Sequence, residues 1–262
     1  MKTGNLKKLY TKFQSDGTVE YYLIVGEEQI PLNEFVGKKI KLSWTGEIHC
    51  VACGRKTKKS FAQGHCFPCM RDLASCDMCM MKPEICHYHE GTCRQPDWGE
   101  EHCLRPHYVY LANSSGLKVG ITRTDPPVSR WIDQGAVAGK AWIQVDTRRQ
   151  AGLVEVAIKK FISDKTNWRT MLKGNNAEVD LSHQCRELER HLPDDVPLKI
   201  LDEPVIQIKY PVEKYPEKIK SFNFDKDPLV EGILNGIKGQ YLILENGVIN
   251  IRKFTGYKIS FE

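Results

Sequence analysis

Four cysteines fall in two pairs, Cys50-x2-Cys53 and Cys66-x2-Cys69, with twelve residues between the pairs. That is the spacing of a zinc ribbon, in which each CxxC turns the backbone so that both thiolates meet one ion and the intervening loop forms a hairpin. Five more cysteines follow at Cys76, Cys79, Cys86, Cys93 and Cys103, with His87, His89 and His102 among them. A second ion needs four ligands; the favoured set is Cys76, Cys79, Cys86 and Cys93, with His87 and Cys103 as substitutes. Two structural Zn²⁺ ions are therefore expected. Four thiolates also suit an iron–sulfur cluster, and spacing alone does not separate the two. Because the stretch is poor in aliphatic residues, metal must supply most of its folding free energy. Arg55, Lys56, Lys58 and Lys59 sit in the first hairpin loop. They either offset thiolate charge or hold phosphates.

A second group of residues suits phosphodiester chemistry. His107-Tyr-Val-Tyr110, Lys118-Val-Gly120-Ile-Thr-Arg123 and Arg130-Trp131 resemble the motifs of the GIY-YIG nuclease superfamily, over residues 104 to about 175. The resemblance implies that Tyr110 positions or deprotonates the attacking water, that Lys118 replaces the second motif tyrosine, that Arg130 steadies the phosphate, and that Glu155 holds Mg²⁺ or Mn²⁺. Hydrolysis of a phosphodiester needs such a set: a cation against the non-bridging oxygens, a base, and a carboxylate for the metal. The chain as a whole also resembles an uncharacterised bacterial family known only as a domain of unknown function, which brings no activity with it.

The elements that must position these residues follow from periodicity. Glu20–Val25 and Lys38–Trp44 read as strands, the second alternating Ile40, Leu42 and Trp44 with Lys39, Lys41 and Ser43. His107–Leu111, Leu117–Thr122 and Ala141–Val145 read as strands. Pro126 and Pro127 open a short helix through Arg130 to Gln134. A helix over about Gln150–Ser163 puts Glu155 on one face with Ala151, Ile158 and Ile162, so this carboxylate is expected along an apolar stripe where it needs a partner. A helix over Leu181–Leu192 buries the lone Cys185 as a small hydrophobe. Tyr22–Ser43 aligns without a gap on Tyr241–Glu262, matching Tyr22/Tyr241, Leu23/Leu242, Ile24/Ile243, Phe35/Phe254, Gly37/Gly256 and Ile40/Ile259 among others. Two copies of one β unit with half a core each have reason to pack together.

The expected fold class is α+β, in four parts: an N-terminal β unit (1–48), a cysteine-rich zinc-binding domain (49–103), a GIY-YIG-like domain (104–195) and a C-terminal β unit repeating the first (196–262). With 41% hydrophobic residues in 262, the chain can bury a real core, which excludes disorder as its main state. No apolar run exceeds Tyr21–Val25 and the first thirteen residues lack an apolar signal core, so a soluble cytoplasmic protein without a membrane span is expected. The net charge of +5 is weak evidence, since each zinc tetrathiolate adds two negative charges. The function expected is nucleic-acid processing, as a divalent-metal-dependent endonuclease on DNA or RNA. The alternative is a non-catalytic zinc-containing module that uses the same pocket to recognise phosphate or nucleotide.

Overall fold

The computed structural model describes residues 1–123, 127–174 and 177–262. Its strands, in chain order, are β1 (Lys2–Asn5), β2 (Tyr10–Phe13), β3 (Val19–Val25), β4 (Glu28–Pro31), β5 (Lys39–Ile48), β6 (His107–Asn113), β7 (Leu117–Thr122), β8 (Ala138–Val145), β9 (Lys199–Ile200), β10 (Ile206–Gln207), β11 (Leu229–Lys238), β12 (Tyr241–Leu244), β13 (Gly247–Asn250) and β14 (Tyr257–Phe261). Its α-helices are α1 (Phe67–Asp72), α2 (Pro96–His102), α3 (Val128–Asp133), α4 (Arg148–Ile158), α5 (Trp168–Leu172) and α6 (Leu181–Leu188). The chain packs as two units: unit 1 takes residues 1–71, 172–174 and 209–262, and unit 2 takes 72–171 and the following segment to Ile208. The cysteine-rich stretch 49–103 is thus shared, with Cys50 to Cys69 in unit 1 and Cys76 to Cys103 in unit 2. No helix among the described residues is long and apolar enough to cross a membrane.

Unit 1 is built on the repeat. Its six-stranded antiparallel sheet has the order β1-β14-β5-β11-β12-β13, beside a three-stranded sheet β2-β3-β4. The two copies pair directly: β14 lies against β5, with Phe261 opposite Leu42 and Ser260 opposite Ser43. Alternation explains the pairing, because Ile40 and Leu42 on one strand and Tyr257, Ile259 and Phe261 on the other all turn into the core. Each copy then borrows an edge from the other half of the chain, β11 on β5 and β1 on β14. Gly4 stands opposite Ile259 as Gly232 stands opposite Ile40, so the repeat also includes the strand before the hairpin. The offset there is 228, against 219 for the later strands, because the first copy carries nine extra residues between its opening strands. The matched Gly37 and Gly256 both have positive φ, +80 and +89, which a Cβ disfavours. The Gly37 amide donates to the Leu234 carbonyl and the Gly256 amide to that of Leu6, both at 2.8 Å, so each copy is latched onto the other.

Unit 2 has an antiparallel sheet in the order β10-β8-β6-β7, with β9 also on β8. Its core joins Val109, Leu111, Val119, Trp142 and Ile143 from the sheet to Val154 and Ile158 of α4 and to Leu181, Cys185 and Leu188 of α6. Cys185 is buried here as expected. Two helices are shorter than their periodicity suggests. The expected 150–163 helix begins at Arg148, behind a capping box in which Thr147 and Gln150 satisfy each other's backbone amides. It ends at Ile158, because the Ser163 carbonyl accepts from the Val119 amide at 2.9 Å and draws the chain to β7. α6 gives way to a 3-10 turn over Glu189–His191. Pro127 precedes α3 as its N-cap; Pro126 lies outside the described residues.

Candidate active site and metal centres

The first cysteine set forms where β5 runs out. Cys50 follows the strand, the Cys50 amide donates to the Arg55 carbonyl, and the Gly54 amide closes back on Cys50, both at 2.9 Å. The sulfurs of Cys50, Cys53, Cys66 and Cys69 all lie within 4.8 Å of one another, and those of Cys53 and Cys66 are 3.8 Å apart. Tetrahedral zinc with Zn–S bonds of about 2.3 Å separates its sulfurs by about 3.8 Å, so the donor set and its geometry fit that ion. Two of the loop cations have local partners: Arg55 is electrostatically linked to the Cys53 thiol, and Lys56 donates to Glu47 at 2.6 Å. Lys58 and Lys59 remain exposed.

The second set is arranged differently. Cys79, Cys86, Cys93 and Cys103 line one small cavity in unit 2, together with Asp77, His87, Arg94 and Trp98. Cys103, expected only as a substitute, is on this wall, and Cys76 is not. Asp77 pairs with Arg94 at 2.6 Å and accepts from the Cys79 amide at 3.2 Å. Its carboxyl is held below the usual range by that amide, Arg94 and His87, against burial. The segment packs on α4: a Cβ at Gly152 would stand 2.6 Å from the Glu84 nitrogen, and Arg148 donates to the Met80 carbonyl at 2.8 Å.

The candidate catalytic residues converge on the β6–β7 hairpin. Tyr110 on β6 faces Gly120 on β7, and a Cβ at Gly120 would stand 2.5 Å from the tyrosine hydroxyl, so this glycine makes room for the phenol. The buried Tyr110 hydroxyl donates to Gln134 Oε1 at 2.9 Å, and the Arg130 guanidinium is electrostatically linked to it. Burial pushes the phenol up to about 12 although Arg130 opposes the shift. Lys118, also buried, is brought down to about 8, by burial first and then by Arg130. Burial raises the Glu155 carboxyl, and Lys118 pulls it back down while Asp164 pushes it up. Lys118 is thus the cation that most offsets the burial of Glu155, acting electrostatically and without an ion-pair contact. Tyr110, Lys118, Arg130 and Glu155 form one electrostatically linked group, joined by Gln134 and Asp164, to which sequence reasoning gave no role. Asn167 caps the turn after it, accepting from the Arg169 and Thr170 amides at 3.1 and 3.2 Å, while the Arg169 guanidinium lies 4.3 Å over the Trp168 ring.

Unit 1 carries a separate cavity of about 420 Å³, lined by Lys7, Lys8, His49, Gln63, Arg252 and Gly256 among others. Among the described residues, no acidic side chain lines it.

A family model described as "Protein of unknown function (DUF2797)" matches residues 37–259. The chain belongs to this family. The match runs from the glycine latch of the first copy into β14, so the DUF2797 region takes in both cysteine sets, the Tyr110 group, the end of the first repeat and nearly all of the second. No curated protein and no solved structure matches the chain.

Proposed function

We propose that this DUF2797 protein processes nucleic acid in the cytoplasm, as a divalent-metal-dependent endonuclease on DNA or RNA phosphodiesters. The observation that carries the reading is the electrostatic linkage of Tyr110, Lys118, Arg130 and Glu155 around one hairpin, with a buried lysine acting on a half-buried carboxylate. It agrees with the GIY-YIG resemblance of the same residues. Glu155, with Asp164 in electrostatic reach, fits a hard divalent ion in its donor chemistry. Mg²⁺ or Mn²⁺ bound there would offset charge on the scissile phosphate.

The chain's own groups divide the remaining work. Arg130 presents a guanidinium to a phosphate oxygen. A tyrosine at about 12 keeps its proton at neutral pH, so Tyr110 orients water through its hydroxyl. Lys118, at about 8, is partly neutral there and is the better proton acceptor. Zinc at Cys50, Cys53, Cys66 and Cys69 has a structural role, and a reducing compartment keeps these thiols ready for metal.

A second reading is a non-catalytic binding module, favoured by the cavity around Lys7, Lys8 and Arg252, which owes nothing to Glu155. Incubating the pure protein with varied DNA and RNA, with Mg²⁺ or Mn²⁺, decides between them. Cleavage that stops on chelation and is absent in Glu155→Gln supports the nuclease. Binding without cleavage under every condition retires it in favour of the module.

A further inference from the structure

The cavity of unit 1, about 420 Å³ in volume, lies where the Cys50 hairpin meets the latch of the second repeat copy. Cys50, Val51 and Gln63 come from the hairpin, Arg252 from the turn before the latch, and Lys7 and Lys8 from the stretch after β1. Its polar side chains offer donors. Gln63 Oε1 accepts from Arg252 Nε at 2.6 Å and Asn5 Oδ1 lies 3.2 Å from His49 Nδ1, so each amide commits its oxygen within the wall and has an NH2 as its other polar group. A guanidinium held through Nε carries two terminal NH2 groups, the fork that fits phosphate oxygens. The Thr255 hydroxyl pins the same turn by donating to the Arg252 carbonyl at 2.8 Å. Gln63 and Ala62 have φ of +62 and +40, a region that a Cβ disfavours and that persists where the surroundings enforce it. Lys7 also reaches Glu27 at 3.7 Å, but that carboxylate is 97% exposed and screened by solvent.

The internal repeat supplies a control for these cations. Arg252 matches Asn33 at the offset of 219, and Lys7 and Lys8 match Asn235 and Gly236 at the offset of 228. The repeat therefore folds without positive charge at these three places. In that other copy the stretch is covered from within: the Asn235 carbonyl accepts from the Glu213 and Lys214 amides at 2.9 and 3.3 Å, and the Glu213 carboxylate stands 3.4 Å from where a Cβ of Gly37 would be. One copy is closed by a carboxylate-bearing segment of its own chain; the other has a cavity walled by three cations.

We propose that this cavity binds phosphate esters, with Arg252, Lys8 and Lys7 holding the phosphate and the Cys50 hairpin fixing Arg252 through Gln63. The proposal rests on the binding-module reading and deepens it by naming the ligand group; it holds whether or not the Tyr110 group cleaves. Inorganic phosphate fills only part of about 420 Å³, so the ligand carries more than the anion, as a nucleotide does. Zinc held by four thiolates brings two negative charges to the Cys50 side, and three cations against two charges leave the wall formally positive.

The test uses the full zinc-loaded chain, titrated calorimetrically with adenosine 5′-monophosphate, inorganic phosphate and adenosine. The nucleotide should bind, inorganic phosphate should bind more weakly, and adenosine should not bind. Arg252→Gln should weaken the nucleotide about tenfold or more, and Lys8→Gln, at an exposed position, about fivefold. Lys253→Gln removes another exposed charge next along the chain and should leave the affinity unchanged, which separates the cavity from general electrostatics. Wild-type affinity in Arg252→Gln and Lys8→Gln would overturn the proposal, as would the absence of nucleotide binding, or release by Arg130→Ala but not by Arg252→Gln. Both variants should keep the wild-type zinc content; affinity lost only together with zinc would show that these cations serve the thiolates, and would overturn it too. DNA or RNA held at wild-type strength by the doubly substituted chain would remove this site and leave the binding-module reading standing.

Discussion

Both units carry a cysteine segment, but they attach it to different things. In unit 1 the Cys50–Cys69 hairpin extends from the end of β5, past the positions where Ile40 and Leu42 meet the core. In unit 2 the Cys76–Cys103 segment lies on α4, the helix that carries Glu155, through Gly152, through Arg148 and Met80, and through a Lys159–Glu84 ion pair at 3.9 Å. Disturbing the cysteine segment should therefore stay local in unit 1 and reach the candidate active site in unit 2.

The largest effect separates the units by their metal. Structural zinc contributes about 10–16 kcal/mol of apparent binding free energy to modules that fold around it. Cys66→Ser should remove the zinc and open 49–71 to proteolysis, while hydrogen exchange at Ile40, Leu42 and Ile259 stays protected. Loss of protection across the whole sheet would break the comparison.

The next test uses one buried lysine from each unit. Lys118 and Lys238 are both lowered to about 8 by burial, below the unfolded value of about 10.4. Between these values the unfolded chain binds more protons, so stability rises with pH over that window, by at most about 3 kcal/mol for each lysine. Denaturant melts of Lys118→Met and Lys238→Met from pH 7.5 to 10.5 should each lack one share of the rise. An unaltered slope in either would show that this lysine titrates normally.

Catalysis sharpens the contrast further. Glu155→Gln should lower metal-dependent cleavage by roughly a hundredfold or more and leave nucleic-acid affinity nearly intact, whereas Arg130→Ala should lower both. Single-turnover rates beside filter binding give the two numbers.

The smallest effects come from methyl groups. Ala at Gly120 would crowd the Tyr110 hydroxyl, and Ala at Gly152 would crowd backbone at Glu84, each costing about 1–3 kcal/mol. If the cysteine segment of unit 2 positions α4, Gly152→Ala also slows cleavage. An unchanged rate in a destabilised Gly152→Ala would leave that segment a purely stabilising role.

Sequence served these features unequally. The Cys50 set was legible because two CxxC turns nearly dictate where their sulfurs go. The second set was not, since spacings of six, six and nine residues along an irregular chain leave sulfur-to-sulfur distances open. The cavity wall that includes Cys103 and leaves out Cys76 follows from folding that these spacings do not encode. Arg148, distant in the chain, carries no local sign of its place beside Cys79 and Cys103. The partial burial of Glu155 could be read from its apolar stripe, but Lys118, which acts on it electrostatically, comes from a strand, β7. The repeat was visible from Tyr22 to Ser43 and hidden before it, because nine inserted residues shift Gly4 and Leu6 out of register with Gly232 and Leu234.

The crossed pairing of unit 1 also sets a timetable for its birth on the ribosome. Leu42 pairs with Val230 and Phe261, which emerge roughly 190 and 220 residues later, or about 10–40 s at ordinary rates of synthesis. Through that interval the apolar face and both edges of β5 wait without these neighbours, while every residue of unit 2 is made. The nascent chain thus presents a long sticky strand beside a domain that can already fold, a period in which chaperone cover or a translational pause near the end would matter more than in any finished molecule.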